Sequence, residues 1–295
     1  MIKNFLLFTI ALTIYNARSQ DYASYYKRCN LSDSLQYIGL NQEALDTYKI
    51  AFTSVDYVHS NKYYEAYHLA IKLGAFKDAF QFGKMIIINS GNKKLIGTKS
   101  TSFKRSNYFE CLKDSTDFYL ENYKNRVNHD FINAIDSLYF IDQNIIRKNR
   151  SVIGKYSLEK DTLPENLFEL DKTNWQQLHK LIDSLGFPSE QNVGLAAYNH
   201  AGIIIHHNLR LKENEKYHNE IFQSIEDGKY LPVHFCFWYE QFQTSTKGQS
   251  FFFTWNGDTT EENLKRINLN RRSFYLKSSN AYALKNNGRK WRSKW

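Results

Sequence analysis

Three prolines, Pro164, Pro188 and Pro232, are all that interrupt a chain of 295 residues. Proline removes a backbone donor and clashes with the preceding helical turn, so long proline-free stretches keep helix open to the chain. The apolar residues in these stretches recur at helical rather than alternating spacing. Leu178, Leu181, Ile182 and Leu185 fall at i, i+3, i+4 and i+7, with Asp171 or Thr173 placed to cap the start and Gly186 to end the helix. Phe131, Ile135, Leu138 and Ile145 form a second stripe, and Phe235, Trp238, Tyr239 and Phe242 a third behind Pro232. Further helices are expected over residues 108–127, over roughly Leu195 to Leu211, and around Tyr217, Ile221, Phe222 and Ile225. "SFFFTWNGD" departs from this habit, because its aromatic run ends in Asn256-Gly257, a strong hairpin signal. The expected fold is mainly α, with at most a small β-hairpin.

The first folded region carries a faint internal repeat. Gly39 is followed five positions later by Ala44, and Gly74 five positions later by Ala79, an offset of 35 residues. That offset resembles the period of about 34 residues in tetratricopeptide repeats, where a small residue turns the chain and an alanine lets the second helix approach the first. "NKYYEAYHLAIKLG" then reads as the first helix of the second unit, with Tyr63, Tyr67 and Ile71 on one face. Two such units cannot bury a continuous core alone, so they must pack on the C-terminal remainder of the chain. The expected organisation is a tetratricopeptide-like region over 20–91, a linker and connecting helix over 92–128, an α-helical domain over 129–283, and a basic aromatic tail over 284–295. Residues 91–107 and 150–170 read as polar connections.

Residues 1–19 are read as a leader rather than as fold. Lys3 supplies the positive start, Phe5 to Tyr15 an apolar run of eleven residues, and Ala17-Arg18-Ser19 a small-x-small cleavage site. Eleven residues fall short of the roughly 20 needed to cross a bilayer. The expectation is a soluble exported protein, periplasmic or secreted. The net charge of +9 is concentrated at one end: Lys265 to Trp295 holds ten basic residues and no acid. The remainder is nearly neutral, which together with export argues against a nucleic-acid partner. The terminal "NGRKWRSKW" suits either an anionic membrane surface or a solvated, frayed end. Three cysteines allow at most one disulfide, and Cys236 within "HFCFWY" reads as a small core residue.

"GIIIHHN" places His206 and His207 side by side. At about 100° per residue, His207 shares an apolar face with Val193, Ala196, Ala197, His200, Ile203, Ile204 and Leu211, while His206 turns toward solvent. His200 and His207 are then roughly 10 Å apart, too far to ligate one metal. No metal site and no cofactor is assigned, for the chain has no HExxH helix, no phosphate loop and no serine elbow. His207 is either a hydrogen-bonded core histidine or a base in a pocket.

Further motifs run through the second half. Asp142-Gln143 is followed by Arg147, then Asp171 and Asn174, Gly186-Phe187-Pro188, Val193-Gly194, His206-His207, and a closing "INLNRRSFYLKSSNAY". From about Asp136 to Tyr282 this order resembles a bacterial family of unknown function common among secreted Bacteroidetes-type proteins. That family has Asp-Arg where this chain has Glu240-Gln241, and Gln-x-Tyr-Gly-Thr-Gln where this chain has "SFFFTW", keeping only Thr254. The resemblance implies that, in an enzyme, His207, Asp142, Asp171 and Glu240 would form the catalytic set. Gln143, Arg147, Asn174, Gln241 and Thr254 would bind substrate. Losing the guanidinium and the glycine implies an eroded polar pocket. Two functions therefore stand: a non-catalytic binding or scaffold protein engaging a peptide or protein through its helical-repeat surface, or a hydrolase-like enzyme built around His207. The tail is tested by cosedimentation with anionic vesicles. A membrane-contacting tail predicts binding at low salt that disappears when residues 284–295 are deleted, whereas a solvated end predicts no binding at any salt concentration.

Overall fold

The 35-residue offset is written into the backbone. Gly39 and Gly74 adopt left-handed φ angles of 88° and 73°, and Leu40 and Ala75, the next residues, share φ −77° and ψ 64°. Each turn closes with the same bonds: Leu40 N–H donates to the Leu35 carbonyl at 3.0 Å, and Ala75 N–H to the Ala70 carbonyl at 2.9 Å. Ala44 and Ala79 are both fully buried where the second helix of each pair meets the first. Two helical hairpins result, α1 (Tyr22–Tyr37) with α2 (Asn41–Phe52), and α3 (Ser60–Leu73) with α4 (Phe76–Ser90).

The structure is a computed structural model and describes residues 20–148, 165–209, 212–248, 251–252 and 260–276. Beyond the hairpins run α5 (Thr101–Lys104), α6 (Asn107–Asp114), α7 (Thr116–Arg126), α8 (His129–Lys148), α9 (Glu165–Leu185), α10 (Glu190–Leu209), α11 (His218–Glu226), α12 (Pro232–Lys247) and α13 (Glu261–Ser273). Short 3-10 turns at Lys93–Ile96 and Lys212–Tyr217 complete the path. The fold is mainly α, and no strand occurs among the described residues. The leader, the tail and the expected Asn256-Gly257 hairpin lie outside them. No described helix is long and apolar enough to cross a membrane.

Several boundaries differ from expectation. The polar stretch 91–107 contains a 3-10 turn and α5, held by serine caps at Ser100 and Ser106 that accept from the N–H groups of Phe103 and Phe109. The expected helix over 108–127 is two, α6 and α7, broken at Ser115. Helix α9 starts at Glu165 and not near Asp171, so Asp171 is no cap; Thr173 instead bonds back to the Glu169 carbonyl at 2.8 Å.

Helix α10 is the hub, touching α4, α7, α8, α9 and α12. It begins earlier than expected, at Glu190, and bends at Gly194, whose φ 74° and ψ 170° are open in practice to glycine alone. The Tyr123 phenol packs against both Gly194 and Gly91, the residue that ends α4. The buried apolar side chains consequently form one cluster spanning both sides of residue 128, from Tyr22 to Phe252. A Cβ at Gly194 would overlap Tyr123, whereas nothing lies within 4 Å of one at Gly74. Gly194→Ala is therefore expected to lower unfolding free energy by about 2–3 kcal/mol and Gly74→Ala by about 1 kcal/mol. Urea denaturation of both variants checks the difference, and equal losses would contradict it.

Candidate functional site

Helices α8, α9 and α10 pack pairwise against one another, and each contributes one polar residue to their common seam. On α8 the buried stripe Phe131, Ile135, Leu138 continues at helical spacing into Asp142, which is 1% exposed. On α9 Asp171 and Asn174 extend the buried stripe of Trp175, Leu178 and Ile182 in the same way. From α10 comes His207. Its Nδ1 lies 3.2 Å from Asp142 Oδ1 and 3.7 Å from Asp171 Oδ1, and ligand atoms of all three residues fall within 4.8 Å of one another. Gln143 Nε2 donates to the second Asp142 oxygen at 2.8 Å, fixing that carboxylate's rotation. A buried carboxylate left without a compensating charge or donor costs several kcal/mol, and the His207 imidazole at 3.2 Å is positioned to meet that need. The histidine side chain keeps 20% of its surface exposed and is the most exposed member of the cluster.

The aim of α10 differs from the expected stripe. Its buried arc runs through Ala197, Tyr198, Ala201, Ile204, Ile205 and Asn208, while Ala196 is exposed and Ile203 only partly covered. With α4 and α12 on one side and α8 and α9 on the other, the buried arc is wide and its centre lies away from the histidines. His200 and His207 mark its border with α8. His200 pairs with Asp136 at 2.7 Å and stacks on Tyr139 at a centroid distance of 3.8 Å. His206 is partly exposed, its ring edge-on to that of His207.

Four of the expected site residues thus assemble: Asp142, Gln143, Asp171 and His207. Asn174 lies one turn beyond Asp171, 2% exposed, and its amide nitrogen has no hydrogen-bond partner among the described residues. Glu240 does not join them. It sits buried on α12, where its carboxylate accepts the backbone N–H groups of Phe251 and Phe252, and Arg271 donates to the Phe252 carbonyl at 3.0 Å. Its role there is to pin the segment after α12, because two orphan N–H groups require an acceptor. Gln241 follows it on α12 and makes no side-chain hydrogen bond to the cluster among the described residues. The Arg147 side chain and all of Thr254 lie outside the described residues.

Two further constellations were invisible to motif reasoning. The first is a cavity of about 420 Å³ between the two hairpins, lined by Asp33, Gln36 and Tyr37 of α1 and His68, Leu69 and Lys72 of α3. Behind it Lys62 donates to Asp33 at 3.2 Å and Glu65 at 2.7 Å, and Tyr48 bonds to both carboxylates. Burial works against the Lys62 charge, but Glu65 and Asp33 outweigh it and hold the ammonium well above its ordinary range. The second is a buried pair: His59 Nδ1 lies 3.2 Å from Glu190 Oε2, and Ser60 N–H donates to Oε1 at 3.0 Å. Beside it His234 stacks on Tyr198, and burial, with the neighbouring His59, pushes its imidazole down to about 4.

The chain matches no protein-family model, no curated protein sequence and no solved structure.

His234 sets a pH dependence. Its folded value of about 4 lies below the ordinary 6.5, so between these limits the unfolded chain binds a proton that the folded chain refuses. Stability therefore falls as pH drops from 6.5 toward 4, by up to about 1.4 kcal/mol per pH unit. His234→Gln is expected to flatten that slope in denaturation midpoints measured across the window. An unchanged slope would contradict the assignment.

Proposed function

We propose that the chain is an exported binding protein whose paired hairpins hold an extended peptide segment of a partner. The observation carrying this reading is the cavity shared by the first helices of both hairpins. Its wall combines groups that an extended peptide uses together: the Gln36 amide for backbone bonding, the Lys72 cation, the Leu69 side chain and the half-exposed Tyr37 ring. Tyr64, also half-exposed, stacks edge-on against His68 and widens the aromatic rim. The Lys62, Asp33, Glu65 and Tyr48 network stiffens the floor, which lowers the ordering cost of binding. The leader read in residues 1–19 supports binding outside the cytoplasm.

A second reading, a hydrolase-like centre around His207, is supported by the convergence of Asp142 and Asp171 upon it. The displacement of Glu240 to a structural role reduces the acid set that this reading started from.

Selection of a random peptide display library on the leaderless chain tests the first reading. Enriched peptides are expected to lose about tenfold or more in affinity, roughly 1.4 kcal/mol, against Tyr37→Ala and His68→Ala. Absence of enrichment, or affinity indifferent to both substitutions, would refute the cavity as a binding groove.

A further inference from the structure

We propose that Asp142, Asp171 and His207 form a binding site for one divalent transition-metal ion. The donor geometry is the first support. Tetrahedral zinc with N/O bonds of about 2.0–2.1 Å places its ligand atoms roughly 3.3 Å apart. The distances from His207 Nδ1 to the two carboxylates, 3.2 and 3.7 Å, bracket that edge length. Closing all three donors onto one ion requires shifts of tenths of an ångström at Nδ1 and rotation of the Asp171 carboxylate at the remaining edge, which lies within the 4.8 Å span of the cluster.

Charge is the second support. The side chains of Asp142 and Asp171 are 2% and 12% exposed, so two carboxylates sit almost out of water in one seam. A divalent cation would supply positive charge where these two carboxylates and the imidazole converge.

An independent sign comes from Asn174. It is 2% exposed on the same buried face as Asp171, one turn along α9, and its amide nitrogen is without a partner among the described residues. A half-turn of the amide exchanges its nitrogen and oxygen ends, presenting a carbonyl as a fourth donor or as an acceptor for a metal-bound water. Gln143 completes the arrangement by holding the far oxygen of Asp142 at 2.8 Å, the outer support that metal carboxylates usually have. One imidazole with two carboxylates favours zinc, manganese or ferrous iron over magnesium and calcium, which prefer oxygen alone. The partly exposed edge of His207 gives the ion a way in.

The metal site does not depend on the peptide groove. It deepens the hydrolase-like reading, because His207 would then be a ligand rather than a base, and any activated water would sit on the ion.

The leaderless full chain, stripped with chelator, should be titrated with Zn²⁺ and Mn²⁺ by calorimetry, with Mg²⁺ as the contrast. One equivalent of Zn²⁺ or Mn²⁺ is expected to bind. Asp142→Asn and Asp171→Asn should each weaken it by at least about tenfold, while His206→Ala leaves it unchanged. Helical circular dichroism identifies any variant that fails to fold; should Asp142→Asn fail, the less buried Asp171→Asn decides. Nitrogen coupling in the spectrum of bound Mn²⁺, absent in His207→Gln, reports the imidazole directly. No stoichiometric binding of either ion overturns the proposal. Binding that is insensitive to both aspartate substitutions, or weakened equally by His206→Ala, does the same. Equal affinity for Mg²⁺ would overturn the assignment to a transition metal.

Discussion

Glu190 is the residue on which the arrangement of the two halves depends. Its carboxylate begins α10, is 1% exposed, and reaches across to accept the Ser60 N–H and pair with His59 at the start of α3. A buried charge is tolerated only with full compensation, and removing one partner of such a pair typically costs about 3–5 kcal/mol. Arg126 reinforces the same seam from α7. Its guanidinium donates to the carbonyls of Ile88, Asn89 and Gln191 and lies over the Tyr57 ring at 5.6 Å. Backbone ends from α4 and α10 are thereby tied to one cation. Two repeat units, too few to bury a continuous core of their own, gain the surface they need from α10.

The same helix then sets the polar cluster. Once Glu190 fixes where α10 starts and Gly194 bends it against Tyr123, the register of everything downstream is determined. His200 meets Asp136 and His207 meets Asp142 along one seam with α8. Both pairs use a histidine on the border of the buried arc, where a ring can face protein on one side and solvent on the other. The cavity between the hairpins is lined by His68, Leu69 and Lys72 near the other end of α3, the helix whose first residue Glu190 holds.

Much of the fold was legible because helices announce themselves locally. The repeat was carried by Gly39, Gly74, Ala44 and Ala79, and the stripes of α8, α9 and α12 by spacing alone. The starts of α9 and α10 were misjudged for different reasons: Glu165 to Leu170 was read as part of a polar connection although half of it is apolar, and Glu190 to Gly194 is polar and glycine-bearing, with Glu190 held by its contact to Ser60. Asp142, Asp171 and Asn174 were singled out through the motif order of the resemblance, and Asp171 also as a helix cap, rather than from the apolar stripes that they continue. Their meeting with His207 crosses three helices, so intrahelical spacing could argue only against a metal between His200 and His207. Glu240 was selected for its place in a motif, and its actual work, accepting two backbone donors, has no local signature. The His59–Glu190 pair is 131 residues apart and left no pattern in the sequence.

The most direct test of the coupling uses the distribution of tryptophan. All five, Trp175, Trp238, Trp255, Trp291 and Trp295, come after the hairpins in sequence, so fluorescence reports the second half while far-ultraviolet circular dichroism reports helices in both. If Glu190 joins the halves into one cooperative unit, the two signals will trace superimposable urea transitions in the native sequence and separate transitions in Glu190→Ala. Transitions already separated in the native sequence, or still superimposed after the substitution, would contradict that account.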